Sequence, residues 1–214
     1  MAGRRYHRSV AATWAKPETL EGRIVRLEPM SLAHLDGLAE VGLEPELWRW
    51  TLARPTDRAL LEAWMTAALD AAAAGTEVPF VTVERASGRR IGSSRYLNIA
   101  PEHRRLEIGW SWVATDWQRG GANREAKLLM LGHAFESLGC HRVEFKTDSL
   151  NERSRRALLG IGATFEGIFR NHMVMPDDRL RHSAYYSVID TEWPAVKAGL
   201  SGGLDELLGT SAGG

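Results

Sequence analysis

The stretch Trp112-Val113-Ala114-Thr115-Asp116-Trp117-Gln118-Arg119-Gly120-Gly121-Ala122-Asn123 reads as a strand end, a glycine-bearing loop and the start of a helix. A junction of this kind points bare backbone N–H groups outward. Two adjacent glycines let a ligand approach the backbone, and the helix start adds roughly half a positive charge, so a phosphate or diphosphate is the natural guest. Arg119 and Arg124 supply further charge. From these residues alone a tight turn that uses glycine for its dihedral angles is an equal reading, and the absence of Gly-x-x-x-x-Gly-Lys-Ser/Thr argues against a P-loop.

Outward from that junction the pattern alternates strands and helices. The helix runs over 122–138, with Leu128, Leu131, Phe135 and Leu138 on one face and Gly139 as its stop. Before it, Phe80–Glu84, Arg90–Ile99 and Arg105–Val113 form an antiparallel meander, joined through Ala86-Ser87-Gly88 and Ala100-Pro101-Glu102. Upstream lie a strand over 23–29, a helix capped by Ser31, a tryptophan-bearing loop and a helix over 57–74. Downstream come a strand over 142–147, a helix over 151–159 closed by Gly160-Ile161-Gly162, and strands over 163–175 and 180–189 around Pro176-Asp177-Asp178. No repeat and no linker divides the chain. The expectation is one α/β (α+β) domain over 20–195, a loose segment over 1–19, and a tail over 196–214 with a short amphipathic piece at Leu204–Leu208 and a mobile end.

With 27 basic against 27 acidic residues, the chain lacks the long-range field on which nucleic-acid binding rests. Cys140 is the lone cysteine, which excludes an internal disulfide and a multi-thiolate zinc site. The histidines show no ligand spacing, so no metal is expected. The most apolar stretch, Ala59–Ala74, is broken by Glu62 and Asp70 and falls short of the ~20 residues of a membrane span; neither a membrane partner nor export is expected, and a cytoplasmic location fits.

The segment Gln118-Arg119-Gly120-Gly121-Ala122-Asn123 resembles the Gln/Arg-x-x-Gly-x-Gly/Ala loop of the GCN5-related N-acetyltransferases (GNAT), with Asn123 in place of the last Gly or Ala. Glu125-Ala126-Lys127-Leu128-Leu129, Asn151-Glu152-Arg153-Ser154-Arg155-Arg156-Ala157, Gly160-Ile161-Gly162-Ala163 and Glu166-Gly167 follow at the family's distances. The likeness covers about residues 20 to 195 and is greatest to the branch of ribosomal-protein N-terminal acetyltransferases. It implies a mixed central sheet of about seven strands, flanked by helices and splayed between the fourth and fifth. The implied cosubstrate is acetyl-CoA, its diphosphate on the amides of residues 118–123 and its pantetheine arm along the backbone of Trp112 and Val113. Asn151 resembles the family asparagine that contacts that arm, and from its sequence it is equally an N-cap; Arg156 is placed with the cofactor contacts.

The resemblance further implies direct attack of a primary amine on the thioester. Glu107 matches the glutamate of the family's Glu-Ile-Gly and is the expected general base. Simple alternation sets it with Gly109 and Ser111, opposite Leu106, Ile108, Trp110 and Trp112. A strand glutamate paired with Arg105 or Lys146 is the bland reading. Leu158 stands where many members carry a tyrosine that protonates the thiolate, and Ser154 or solvent takes that role here. Trp48, Trp50, Arg95, Arg170 and Tyr185 are expected near the acceptor, an amine on a protein N-terminus or a small molecule, and one of Tyr185 and Tyr186 faces inward. Trp48 and Trp50 read equally as core residues. A non-catalytic acyl-CoA sensor, transfer of a succinyl group, and a homodimer through the last strands or tail remain open alternatives.

Overall fold

A computed structural model describes residues 14–211. Its strands are β1 (Leu20–Glu21), β2 (Val25–Pro29), β3 (Val78–Glu84), β4 (Arg90–Ala100), β5 (Arg105–Val113), β6 (Arg142–Asp148), β7 (Thr164–Val174) and β8 (Leu180–Ile189). They form one sheet in the order β1-β2-β3-β4-β5-β6-β8-β7. The eighth strand, beyond the seven expected, is the two-residue β1, which pairs Leu20 with Leu27 at the sheet edge. Helices α1 (Leu35–Ala39), α2 (Pro45–Trp48), α3 (Arg58–Ala73), α4 (Ala122–Gly132), α5 (Glu152–Gly160) and α6 (Trp193–Ser211) complete the fold. α4 unwinds into a π-helical turn over His133–Ser137 instead of continuing as α-helix to 138.

The sheet is antiparallel except where α4 carries the chain from β5 across to β6. There the parallel pairing covers only Arg105–Glu107 against Arg142–Glu144. Beyond Glu107 the two strands diverge, and the expected splay is present.

Helices cover both faces. On one, Ala126, Met130, Leu131 and Ala134, with Leu158 of α5 and Val196 and Leu200 of α6, pack on Leu27, Phe80, Tyr96, Leu106, Ile108 and Phe145. On the other, Leu35, Leu38, Trp48, Leu61, Trp64 and Met65 pack on Val81, Val83 and Trp112. The tail is a correction: residues 193–211 form one helix, because Val196, Leu200 and Leu204 recur every fourth residue as a buried stripe, the first two within the first core. Its start is pinned by Glu136, which accepts from Trp193 Nε1 at 2.8 Å and Lys197 Nζ at 2.7 Å. Of the segment expected to be loose, 1–13 lie outside the described residues. Ala15 is buried, and Trp14 Nε1 donates to Leu138 O at 3.0 Å.

A carboxylate inside α4 locks the first strands to it. Glu125 is 2% exposed and accepts from the backbone amides of Arg23 (2.8 Å), Ile24 (2.6 Å) and Val25 (2.7 Å). A Cβ on Gly22 would stand 2.5 Å from that carboxyl group, so only glycine fits the turn. Removing the acceptor strands three amides, each costing about 1–3 kcal/mol when buried unpaired. Glu125→Ala is expected to lower the unfolding free energy in urea by about 3 kcal/mol, with Glu125→Gln recovering part; an Ala variant within 0.5 kcal/mol of wild type, roughly a surface-mutation effect, contradicts this.

Candidate active site

The site begins with an irregularity in β5. Arg95 lies opposite Gly109 but Ser93 opposite Trp112, so one residue of β4 (Ser94) faces two of β5 (Trp110 and Ser111), and Trp110 takes a left-handed φ of 51°. This β-bulge shifts the side-chain parity by one. Leu106 and Ile108 enter the first core as expected, whereas Trp110 and Trp112 join the second. Ser111 turns toward α4 instead of sharing a face with Glu107. The alternation expected for this strand therefore holds only before the bulge.

Glu107 sits at the last paired position before the splay and is 2% exposed. Its Oε2 accepts from Asn98 Nδ2 at 2.7 Å and from Lys146 Nζ at 3.4 Å. Asn98 holds a left-handed φ of 50°, at a second irregularity between β4 and β5, and so presents its amide to the carboxylate. Arg105, the other expected partner, pairs with Glu144. Tyr185 flanks the group: Lys146 Nζ stands 5.9 Å from its ring centre, and burial, followed by the charges of Glu107 and Glu144, raises its phenol pKa. Tyr186 takes the inward position, 1% exposed, its hydroxyl accepting from Arg155 Nε at 3.0 Å.

At the far end of β5 the loop 114–121 carries two left-handed residues either side of Gly120, Arg119 (φ 73°) and Gly121 (φ 86°), the latter the N-cap of α4 with no side-chain cap. The first amides of α4 thus lack an intrahelical acceptor and a capping side chain. Gly120 and Asn123 are exposed, while Ala122 is buried in the first core. Gly121 has a second reason to be glycine, since a Cβ there would meet Ile24 Cδ1 at 2.8 Å. Gln118 Nε2 donates to Val113 O at 2.8 Å, so the side chain braces the loop and that carbonyl is already satisfied. Arg124 packs against Gly203 of α6. The residues fit a diphosphate at the helix start and an extended chain in the gap beside β5.

The other expected residues divide. Asn151 caps α5, its Oδ1 accepting from Ser154 N at 3.1 Å, and Ser154 is half-buried in the first turn. Arg156 pairs with Glu152 at 3.3 Å on the exposed side of α5. Trp48 is a correction: at 1% exposure, with Nε1 donating to Gly42 O and its ring 5.1 Å from Trp64 and 5.4 Å from Trp112, it is core and offers no surface to an acceptor. Trp50 is half-buried, with Arg179 5.8 Å over its ring. Arg95 is buried between Trp64 and Trp110 and paired with Glu77 at 2.9 Å. Arg170 lines an open hollow of about 670 Å³ with Asn171 and His182.

Sequence reasoning missed Lys127, which is 5% exposed. Its Nζ donates to Ser111 Oγ at 2.5 Å and Ser94 Oγ at 3.3 Å, with no carboxylate beside it, and burial lowers its pKa to about 7. The available signal was a lysine three and four residues before the buried Met130 and Leu131, on their helix face.

A protein-family model of the acetyltransferase (GNAT) domain matches residues 25–164, well over half of the chain. The chain therefore belongs to the GNAT acetyltransferase family. A GCN5-related N-acetyltransferase from Brucella melitensis is 34% identical, with a TM-score of 0.82 over 89% of this chain and 86% of that one. Mycobacterium smegmatis RimJ, crystallised with CoA-disulfide, shares the fold at 22% identity and a TM-score of 0.76, over 87% and 95% of the two chains. The uncharacterized N-acetyltransferase YoaA of Bacillus subtilis strain 168 is 34% identical over 83 residues, 39% of this chain and 46% of YoaA, so the alignment spans less than half of that curated relative.

Lys127 carries a pH signature. Folded, the amine gives up its proton near pH 7; unfolded, near 10.4. Between those values the unfolded state binds more protons, so this group's contribution to stability rises with pH. Lys127→Met is expected to gain stability over wild type most at pH 7 and below, the gain shrinking toward pH 10 in urea unfolding. A gain independent of pH contradicts it.

Proposed function

We propose that this chain is an acetyl-CoA-dependent N-acetyltransferase that acylates a primary amine by direct attack. The observation that carries the reading is a buried carboxylate, Glu107, at the point where β5 and β6 part, with the uncapped start of α4 at the other end of the same strand. The CoA-disulfide bound to RimJ supports a donor built on coenzyme A. The donor supplies an activated acyl carbon. The amides of 119–123 hold its diphosphate, with Gln118 bracing the loop, and the backbone at Trp112–Val113, freed by the splay, takes its amide groups.

Glu107 removes the proton that the attacking nitrogen must lose, through a water, because the amine is largely protonated at neutral pH. Lys146 and Asn98 hold the carboxylate in place. The nitrogen–carbon bond forms as the carbon–sulfur bond breaks, and Ser154 or solvent returns one proton to the thiolate. Asn151, Arg156, Trp50 and Tyr185 complete the donor and acceptor contacts. The acceptor is a protein N-terminus or a small amine, and a homodimer is compatible with this site.

Thiol release from acetyl-CoA with a panel of amines tests the reading. Glu107→Gln should lower kcat/KM by about 10²-fold or more, the usual scale of a general base, with a smaller loss at high pH where the free amine accumulates. Unchanged turnover at every pH overturns the role of Glu107.

A further inference from the structure

The face of the sheet that bears Glu107 continues across β6 and β8. Lys146 pairs with Tyr185 and Asp148 with Ser183, and Arg181 follows two residues beyond Ser183, so strand alternation sets all of them on one side. Each buried carboxylate there has its own cation. Glu107 has Lys146, and Asp148, fully buried, accepts from Arg179 Nη2 at 2.6 Å. Arg181 is left over.

Arg181 is 6% exposed, and among the described residues no carboxylate lies within ion-pair distance of it. Its Nη1 donates to Trp50 O at 3.3 Å, and its Nε is buried with no partner. Burial pulls its pKa down, while Asp148 and then Glu107 pull it up, so both acids stand near enough to be felt. A guanidinium taken out of water without a counter-anion is costly, and its planar fork matches a carboxylate. Four cations (Arg105, Lys146, Arg179, Arg181) against three carboxylates (Glu107, Glu144, Asp148) leave a single positive charge, suited to a monoanion more than to a phosphate dianion. Arg95, a cation expected near the acceptor, is already held by Glu77 and two indoles.

Resting on the acetyltransfer reading, we infer that Arg181 receives a carboxylate carried by the amine acceptor, which is thus an amino acid or a peptide end with a carboxylate close to its amine. The acyl chain is the other possible source of that group. The acceptor is favoured because Arg181 stands on the face opposite α4, whose start holds the donor, and under the loop of Trp50.

The test compares amines that differ only in charge: L-alanine, β-alanine and 4-aminobutyrate, each against its amide, with acetyl-CoA, the rates taken per unprotonated amine. At least one acid should exceed its amide by about tenfold or more in kcat/KM, as expected where a site is built to pair a substrate group. Arg181→Gln should collapse that ratio to about threefold or less, and Arg181→Lys should restore part of it. N-acetyl-L-alanine should raise the melting temperature of the wild-type protein, and N-acetyl-L-alaninamide should not, a readout needing neither turnover nor a folded variant. Acids and amides used alike, with neither probe selectively stabilising, overturn the inference while leaving acetyl transfer standing. A preference for succinyl-CoA over acetyl-CoA with a neutral amine, lost in Arg181→Gln, moves the carboxylate to the acyl chain and overturns the acceptor assignment. No thiol release with any amine overturns acetyl transfer itself, and the two N-acetyl probes then judge the carboxylate site alone.

Discussion

Three residue pairs between β5 and β6, and then none, form the constraint on which the site depends. A parallel pair that parts midway leaves a row of peptide groups facing a gap, and such groups do not stay unpaired in a folded protein unless water or a ligand serves them. The strands are held apart from both sides. The bulge at Trp110 commits Trp110 and Trp112 to the core of α1, α2 and α3, while Leu106, Ile108 and Val113 are committed to the core of α4 and α6. Closing the gap would mean drawing indole rings out of one core or aliphatic chains out of the other.

Charge follows from the same geometry. Glu107, at the apex of the gap, is buried, and its carboxylate is held by Asn98 and Lys146 and screened from bulk water. The cations on the adjoining strands lie on the same face as Glu107, whereas Lys127 and Glu125 act on the opposite face, within α4.

Much of this was legible in the residues. Strand alternation and turn chemistry marked the meander, Gly120-Gly121 marked the turn into α4, and Glu107 stood out within its motif. What stayed hidden depends on tertiary contact. A bulge adds one residue without any local signature, so the faces of Trp110, Trp112 and Ser111 came out inverted. Glu125 and Lys127 look like ordinary helix-surface charges until the turn at Gly22 and the hydroxyls of Ser94 and Ser111 are seen against them. The glycines at 199, 202 and 203 disguised α6 as a loose tail because helix propensity penalises glycine, while the stripe Val196, Leu200 and Leu204 overrides that penalty by burial. Trp48 lies in a short helix whose burial could not be told from local sequence.

The most direct measurement is a crystal structure of the protein soaked with coenzyme A. The account predicts density for the diphosphate against the amides at 119–123 and for the pantetheine arm between β5 and β6, bonded to backbone beside Trp112. An empty turn, with the two strands drawn together along their full length, would contradict it.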